Sequence, residues 1–175
     1  MLTNSSIEQT RMKAKSHAIQ SPPQKTIDQL VNLYNQGQMA AVIEQAEALT
    51  SQYPEALIVW NILGASKSQI GKLDEAIEAY TKAILLEPDC SEAYNNMGIT
   101  LRNQGEFNDA IDAFKKAISL NPNDTQTYNN LGNVFQAQGK LEEAIDAYKK
   151  SIFLDPNNAD SYNNMGVSLK KQDKF

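Results

Sequence analysis

Few side chains in this 175-residue chain could do acid–base or metal chemistry. His17 is the only histidine and Cys90 is the only cysteine. Catalysis through an imidazole and metal sites built from several histidines therefore lack the side chains they need. Cys90, in a predicted turn, has no histidine to activate its thiol and no second cysteine for a disulfide. We predict that the chain given is not an enzyme, binds no cofactor or metal, and suits the reducing cytoplasm.

Asparagine is the polar residue whose placement recurs. The pair Asn95-Asn96 is followed at one fixed interval by two like pairs, and Asn61 precedes Asn95 by the same interval. Asparagine is a poor helix former, so its recurrence in successive predicted helices needs a reason. Its amide carries donors and an acceptor, which suits hydrogen bonding to a peptide backbone of any sequence. The candidate peptide-binding residues, with neighbouring polar positions of the same face, are Asn61, Asn95, Asn96, Asn129, Asn130, Asn133, Asn163, Asn164 and Arg102.

The elements that must position these amides repeat with the same period. One series of glycines is evenly spaced along the chain, and prolines, aromatic residues and small residues keep the same interval. So many positions in one register predict a stack of like units. They are Gly37, Gly71, Gly105 and Gly139; Pro54, Pro88, Pro122 and Pro156; Trp60, Tyr94, Tyr128 and Tyr162; Gly64, Gly98, Gly132 and Gly166; Ala76, Ala110 and Ala144; and Tyr80, Phe114 and Tyr148.

The pattern of residues within each unit predicts two short helices. In the unit at residues 91–124, apolar and small residues of the first half recur at i, i+3, i+4 and i+7, which is one side of an α-helix. Gly105 ends this helix because glycine takes the left-handed conformation, and Pro122 ends the second helix. We predict that Gly98 faces Ala110, so that the two backbones approach closely, and that aromatic side chains fill the space between hairpins.

The segment SEAYNNMGITLRNQGEFNDAIDAFKKAISLNP resembles the tetratricopeptide repeat, and the segments beside it match it position by position. The resemblance covers residue 25 to the end. It implies an all-α, right-handed superhelix of about four and a half helix–turn–helix repeats, with the first helices along a concave groove. The expected divisions are a flexible leader at 1–22, a degenerate capping repeat at 23–56, repeats at 57–90, 91–124 and 125–158, and the first helix of an incomplete repeat at 159–175.

The two ends depart from the repeat. In the first unit a stripe at Ile27, Leu30, Val31 and Tyr34 is out of register by one residue, and no glycine occupies the close-approach position. The last unit stops at Phe175, in the position that opens a second helix, which favours a truncated chain over a solvating cap. Its uncovered apolar side predicts self-association through the last helix as a further structural option.

The predicted groove changes character along its length, from apolar or small early positions to polar or basic later ones. A protein or peptide partner suits such a surface. The net charge of −5 opposes sequence-independent binding to nucleic acid or to anionic membranes. Chaperone adaptors of this family grip a terminal carboxylate with lysines and arginines. The matching positions hold no cation here: they are Asn61, Ala65, Asn96, Gln126 and Asn130.

Two groups of larger proteins carry similar repeats. Asn96, Asn130 and Asn164 resemble the asparagine ladder of O-linked N-acetylglucosamine transferases, which implies capture of extended polypeptide; Ile62 interrupts that ladder. The run Trp60-Asn61-Ile62-Leu63-Gly64 is similar to bacterial sulfotransferases with such repeats. Our leading hypothesis is a scaffold that binds an extended polypeptide in an asparagine-lined groove. The alternatives are a substrate-recruiting region in front of a transferase domain, and asparagines that serve only contacts between helices.

Overall fold

The computed structural model describes residues 21–173, which form nine α-helices and no strand within that range. Most of the predicted leader, with His17, and the terminal Phe175 lie outside the described residues. The helices are α1 (Gln24–Asn35), α2 (Met39–Gln52), α3 (Leu57–Gln69), α4 (Leu73–Leu86), α5 (Ser91–Gln104), α6 (Phe107–Leu120), α7 (Thr125–Ala137), α8 (Leu141–Leu154) and α9 (Ala159–Gln172).

The helices pack as successive antiparallel pairs. Each helix contacts the next one along the chain, and each first helix (α1, α3, α5, α7, α9) also contacts the first helix of the following pair. Among the described residues the second helices make no such contacts with one another. Because the first helices lie closer together, they form the inner, concave side of the solenoid, and the second helices form the outer side.

Glycine ends α5 as the sequence predicts. Gly105 has φ 86°, and the amide that follows it bonds back to the carbonyl of Leu101 at 3.0 Å. This left-handed cap satisfies carbonyls that the helix end would leave free. Glycines at the three equivalent turns also have positive φ, so the chain reverses in the same way in every pair.

The close approach within a pair is made by an aromatic ring and not by alanine. A Cβ placed on Gly98 would lie 2.8 Å from Cε1 of Phe114, and the ring supplies all three nearest atoms. The expectation that Gly98 faces Ala110 is therefore wrong. The ring lies against the backbone of the first helix and fills the space that a side chain would need. Gly64 meets Tyr80, and Gly132 meets Tyr148, in the same way.

The first pair distributes bulk differently. Leu30 occupies the position of the close-approach glycine, and Ala46 occupies that of the aromatic residue. Both are fully buried in one core cluster with Ile27. The large side chain is thus on the first helix and the small one on the second. The predicted stripe is wrong for Val31, which is 36% exposed and lies outside this core.

The last described helix lacks the cover that the other first helices have. A Cβ on Gly166 would meet no atom within 4 Å, and Tyr162 and Leu169 are exposed. Self-association through α9 stays a prediction.

A buried lysine forms ion pairs that connect the first two helix pairs. The ammonium of Lys67 on α3 lies 2.8 Å from Glu47 on α2 and 3.0 Å from Glu75 on α4. Burial by itself would lower the pKa of Lys67, but the two carboxylates outweigh it and the pKa is raised. Hydrogen bonds from Lys72 and Lys67 lower the pKa of Glu75.

We expect Gly132→Ala to destabilise the fold by about 1–3 kcal/mol, because its Cβ would lie 2.5 Å from the fully buried Tyr148 ring. Gly166→Ala is the matched control: the same position in the repeat is open there, so alanine should stabilise α9 by up to about 1 kcal/mol. Urea unfolding followed by circular dichroism measures both. Equal effects of the two substitutions would contradict the ring-on-backbone packing.

We expect Lys67→Met to lower the Tm by several degrees at neutral pH, since it leaves two carboxylates facing each other. Lys72→Met should change Tm little, because Lys72 is exposed and pairs with Glu75 alone. The contribution of Glu75, whose folded pKa lies below 4.5, is present above that pH and is lost as the pH falls. The Tm gap between wild type and Lys67→Met should therefore narrow on acidification; a gap that widens would count against the cluster.

Candidate functional site

The concave side carries two adjoining clefts near its amino-terminal end. The larger has a volume of about 560 Å³ and lies between α1, α3 and α5. The smaller, of about 270 Å³, continues from it and shares Tyr34, Ala65 and Asn96 with it. The larger cleft is lined by Val31, Tyr34, Leu57, Ile58, Asn61, Ile62, Ala65, Cys90, Glu92 and Asn96.

The cleft is mostly apolar, as the early groove positions predict. Ile58 is 47% exposed although it is a large apolar residue, and Val31 lines the same cleft from the neighbouring pair. Glu92 is the one charged residue that lines either of the two clefts within the described chain. The site therefore offers apolar contact with a carboxylate at one side and no cation.

Between α5 and α7 the predicted amides bond to each other. The side-chain oxygen of Asn95 accepts from Nδ2 of Asn130 at 3.1 Å. The hydroxyl of Thr127 also lies 3.1 Å from this oxygen, but its single proton is shared with the carboxylate of Asp124. We call such a bond, from the second asparagine of one pair to the first asparagine of the preceding pair, an asparagine rung. This rung joins two consecutive first helices, so it supports the stack itself.

A second asparagine rung joins α7 to α9. Nδ2 of Asn164 donates to Oδ1 of Asn129 at 3.2 Å and to Oδ1 of Asn133 at 3.0 Å. Asn133 also accepts from the hydroxyl of Tyr148 at 2.8 Å. Burial raises the pKa of Tyr148 to about 12, and the nearby charge of Arg102 acts in the opposite direction. The amides here connect the first helices to the aromatic ring of the second helix.

Between α3 and α5 the equivalent rung is open. Oδ1 of Asn61 is buried and has no hydrogen-bond partner, while its Nδ2 donates to Sγ of Cys90 at 3.8 Å. Asn96, which should complete the rung, instead accepts at 3.5 Å from the adjacent Asn95. Asn61 and Asn96 both line the larger cleft.

The expectation that all the asparagines present free amides to the groove is wrong for three of them. Asn61, Asn129 and Asn130 are 8%, 4% and 5% exposed. For Asn129 and Asn130 the reason is that consecutive first helices lie close enough for their amides to bond to each other. Asn61 is buried although its rung is open. Four more are partly covered, namely Asn95, Asn96, Asn133 and Asn164.

Two of the predicted residues, Asn163 and Arg102, neither line a cleft nor take part in a rung. Asn163 is exposed on α9. The partly covered Arg102 donates to Asn103 at 3.2 Å. The structure thus brings Asn61 and Asn96 to the clefts, and it uses most of the other predicted amides to connect helices.

Sequence reasoning misses several residues of the wall of the larger cleft. The sequence pattern places Val31 and Tyr34 in the core stripe of the first pair, and it gives Cys90 no role. Glu92 could have been found, because it stands one repeat after Ile58 in the groove-facing series. No comparable signal marks Cys90, since its role depends on the direction in which the Asn61 amide turns.

The described residues hold no group of three histidine, cysteine or acidic side chains placed to bind a metal ion. None of the helices within 21–173 combines the length and the apolar character that crossing a membrane requires.

Comparison with solved structures gives clear likenesses of fold. The crystal structure of MamA matches with a TM-score of 0.74 at 28% identity, over 81% of this chain and 82% of that one. The first TPR of Spaghetti (RPAP3), bound to the HSP90 peptide SRMEEVD, matches with a TM-score of 0.64 at 28% identity, over 66% and 92% of the two chains. The APC/C hetero-tetramer Cut9–Hcn1 matches with a TM-score of 0.76 at 18% identity, over 82% of this chain and 29% of that one.

Comparison with curated protein sequences gave no match. Comparison with protein-family models gave matches to three models. A model described as "TPR repeat" matches residues 68–105 and 133–173, and two described as "Tetratricopeptide repeat" match residues 91–124 and 113–146. These matches overlap to cover residues 68–173, which is more than half of the chain. The chain therefore belongs to the tetratricopeptide repeat family.

Proposed function

We propose that this chain is a protein-interaction scaffold whose concave side binds an extended segment of another polypeptide. The observation that carries the proposal is the larger cleft, where apolar side chains line a cavity on the inner side of the stack. Exposed apolar surface of this kind loses contact with water when a ligand side chain enters it.

The shape of the site favours an extended ligand. The two clefts follow one another along the concave side and share wall residues, so a segment could occupy both without folding back. The helices that form the walls are held by core packing, so little ordering is needed on the protein side.

The similar structure with a bound peptide supports binding of a peptide by this fold, but its peptide does not suit the cleft of this chain. In that structure a repeat domain of this family carries the HSP90 peptide SRMEEVD, which ends in a carboxylate. The matching positions here hold Asn61, Asn96 and no cation, and Glu92 lines the cleft. A terminal carboxylate would have nothing to pair with and would lie near a like charge. We therefore propose an internal segment, neutral or basic, as the ligand.

The experiment is selection of unstructured peptides from a displayed library on the immobilised chain, followed by measurement of their affinities. We expect Ile58→Glu to weaken the selected peptides by about tenfold or more, because it places a charge in the apolar wall. Leu85→Glu is the matched control, since Leu85 is 70% exposed on the outer side and should bind no ligand.

Two results would count against the proposed function. One is a selection that enriches no peptide on the wild-type chain. The other is a set of peptides whose affinity falls equally with Ile58→Glu and with Leu85→Glu, since that would place binding outside the cleft. Circular dichroism of both variants checks that helix content is unchanged.

A further inference from the structure

The open rung between α3 and α5 departs from the pattern at the next two contacts between first helices, α5–α7 and α7–α9. Asn130 donates to Asn95, and one repeat later Asn164 donates to Asn129. The same interval predicts a bond from Asn96 to Asn61. In its place Oδ1 of Asn61 has no donor, although the residue is only 8% exposed.

The sequence around this rung explains why it stays open. The hydroxyl of Thr127, which also bonds to Asp124, lies 3.1 Å from Oδ1 of Asn95, whereas the residue at the equivalent place beside Asn61 is the fully buried Ala93, which has no hydroxyl. The carboxylate of Asp124 accepts from the backbone N–H of Gln126 and so caps the first turn of α7. Its counterpart Cys90 caps no backbone N–H of α5, and its Sγ instead accepts from Nδ2 of Asn61. Each change removes a group that holds the amides in place at the next pair.

An unpaired buried acceptor is costly, and the cost disappears when a donor arrives. Asn61 and Asn96 line the same cleft, one with a free oxygen and the other with an amide whose contact to Asn95 is long at 3.5 Å. A peptide group has the complementary pair, an N–H donor and a C=O acceptor. Oδ1 of Asn61 makes no hydrogen bond, so a ligand donor that meets it when the side chain turns toward the cleft replaces no existing bond.

We propose that one main-chain amide of the ligand completes the open rung. Its N–H donates to Oδ1 of Asn61, and its carbonyl oxygen accepts from Nδ2 of Asn96. A large apolar side chain next to that amide enters the cleft beside Val31 and Ile58, and a basic residue lies beside Glu92. This inference rests on the proposed function and identifies its ligand as a basic, extended polypeptide segment recognised mainly through its backbone.

The probe is a synthetic peptide of nine residues, acetylated and amidated, with a central leucine flanked by lysines in an alanine–serine background. Its affinity is measured by fluorescence anisotropy or calorimetry with the full chain. Peptides that each carry one N-methyl group, placed in turn along the backbone, remove single donors without changing side chains. We expect one position near the leucine to weaken binding about tenfold, because one buried hydrogen bond is lost.

The protein variants are a matched pair. Asn61→Leu removes the unpaired amide, so we expect about tenfold weaker binding with unchanged or higher Tm. Asn129→Leu removes the same amide from a closed rung, so we expect lower Tm with unchanged binding. A further variant, Ala93→Thr, places a hydroxyl beside Asn61 as Thr127 lies beside Asn95. The counterpart of Asp124 is Cys90, so no carboxylate competes for the new proton. The hydroxyl should donate to Oδ1 of Asn61 and weaken peptide binding without removing any group.

Glu92→Gln tests the charge. We expect binding of the lysine probe to weaken about two- to fivefold, with the loss fading at high salt, as for an exposed ion pair. Asp160→Asn, at the same position two repeats later, should have no effect.

The inference is overturned if the probe does not bind at millimolar concentration, if no N-methyl position matters, or if Asn61→Leu leaves affinity unchanged. Loss of affinity with Ile58→Glu but not with Asn61→Leu would keep the proposed function and reject the open rung.

Discussion

The contact between an aromatic ring and a helix backbone without a side chain determines how this solenoid is built. At Gly64, Gly98 and Gly132 the ring of the second helix lies where a Cβ would be. The ring fixes both the distance and the rotation of the two helices, because neither can turn without a clash or a cavity. Once this contact recurs at a fixed interval, each pair presents the same face to the next pair and the stack follows.

The first pair obeys the same constraint with the roles exchanged. Leu30 supplies the bulk from the first helix, and Ala46 leaves the room on the second. What the packing requires is thus one large and one small residue at facing positions, and not glycine as such. On the inner side of the same pair, α1 presents Val31 and Tyr34 to the larger cleft.

Sequence reasoning succeeds here for features that are set within one helix or one turn, and it fails for contacts that depend on side-chain direction at two helices. The helix ends, the pairing and the apolar early groove follow from glycine, proline and periodic apolar residues that act within one unit. The partner of each asparagine lies in the neighbouring repeat, so it depends on side-chain direction at two helices at once. Nothing in the residue type of Asn61 distinguishes it from Asn95; the difference is made by Ala93 and Cys90.

An amide that bonds a neighbouring helix cannot also bind a ligand without giving up that bond. For each asparagine, this constraint decides whether its amide binds a ligand or serves only contacts between helices. Asn129 and Asn130 are engaged in the stack, and a ligand would have to replace bonds that are already made. Oδ1 of Asn61 makes no hydrogen bond that a ligand would have to replace. A repeat protein built from like units therefore gains a specific site where one unit departs from the pattern. Here the departures at Ile62 and Cys90 line the larger cleft on the described concave side, and the departure at Ala93 directly follows Glu92, which also lines it.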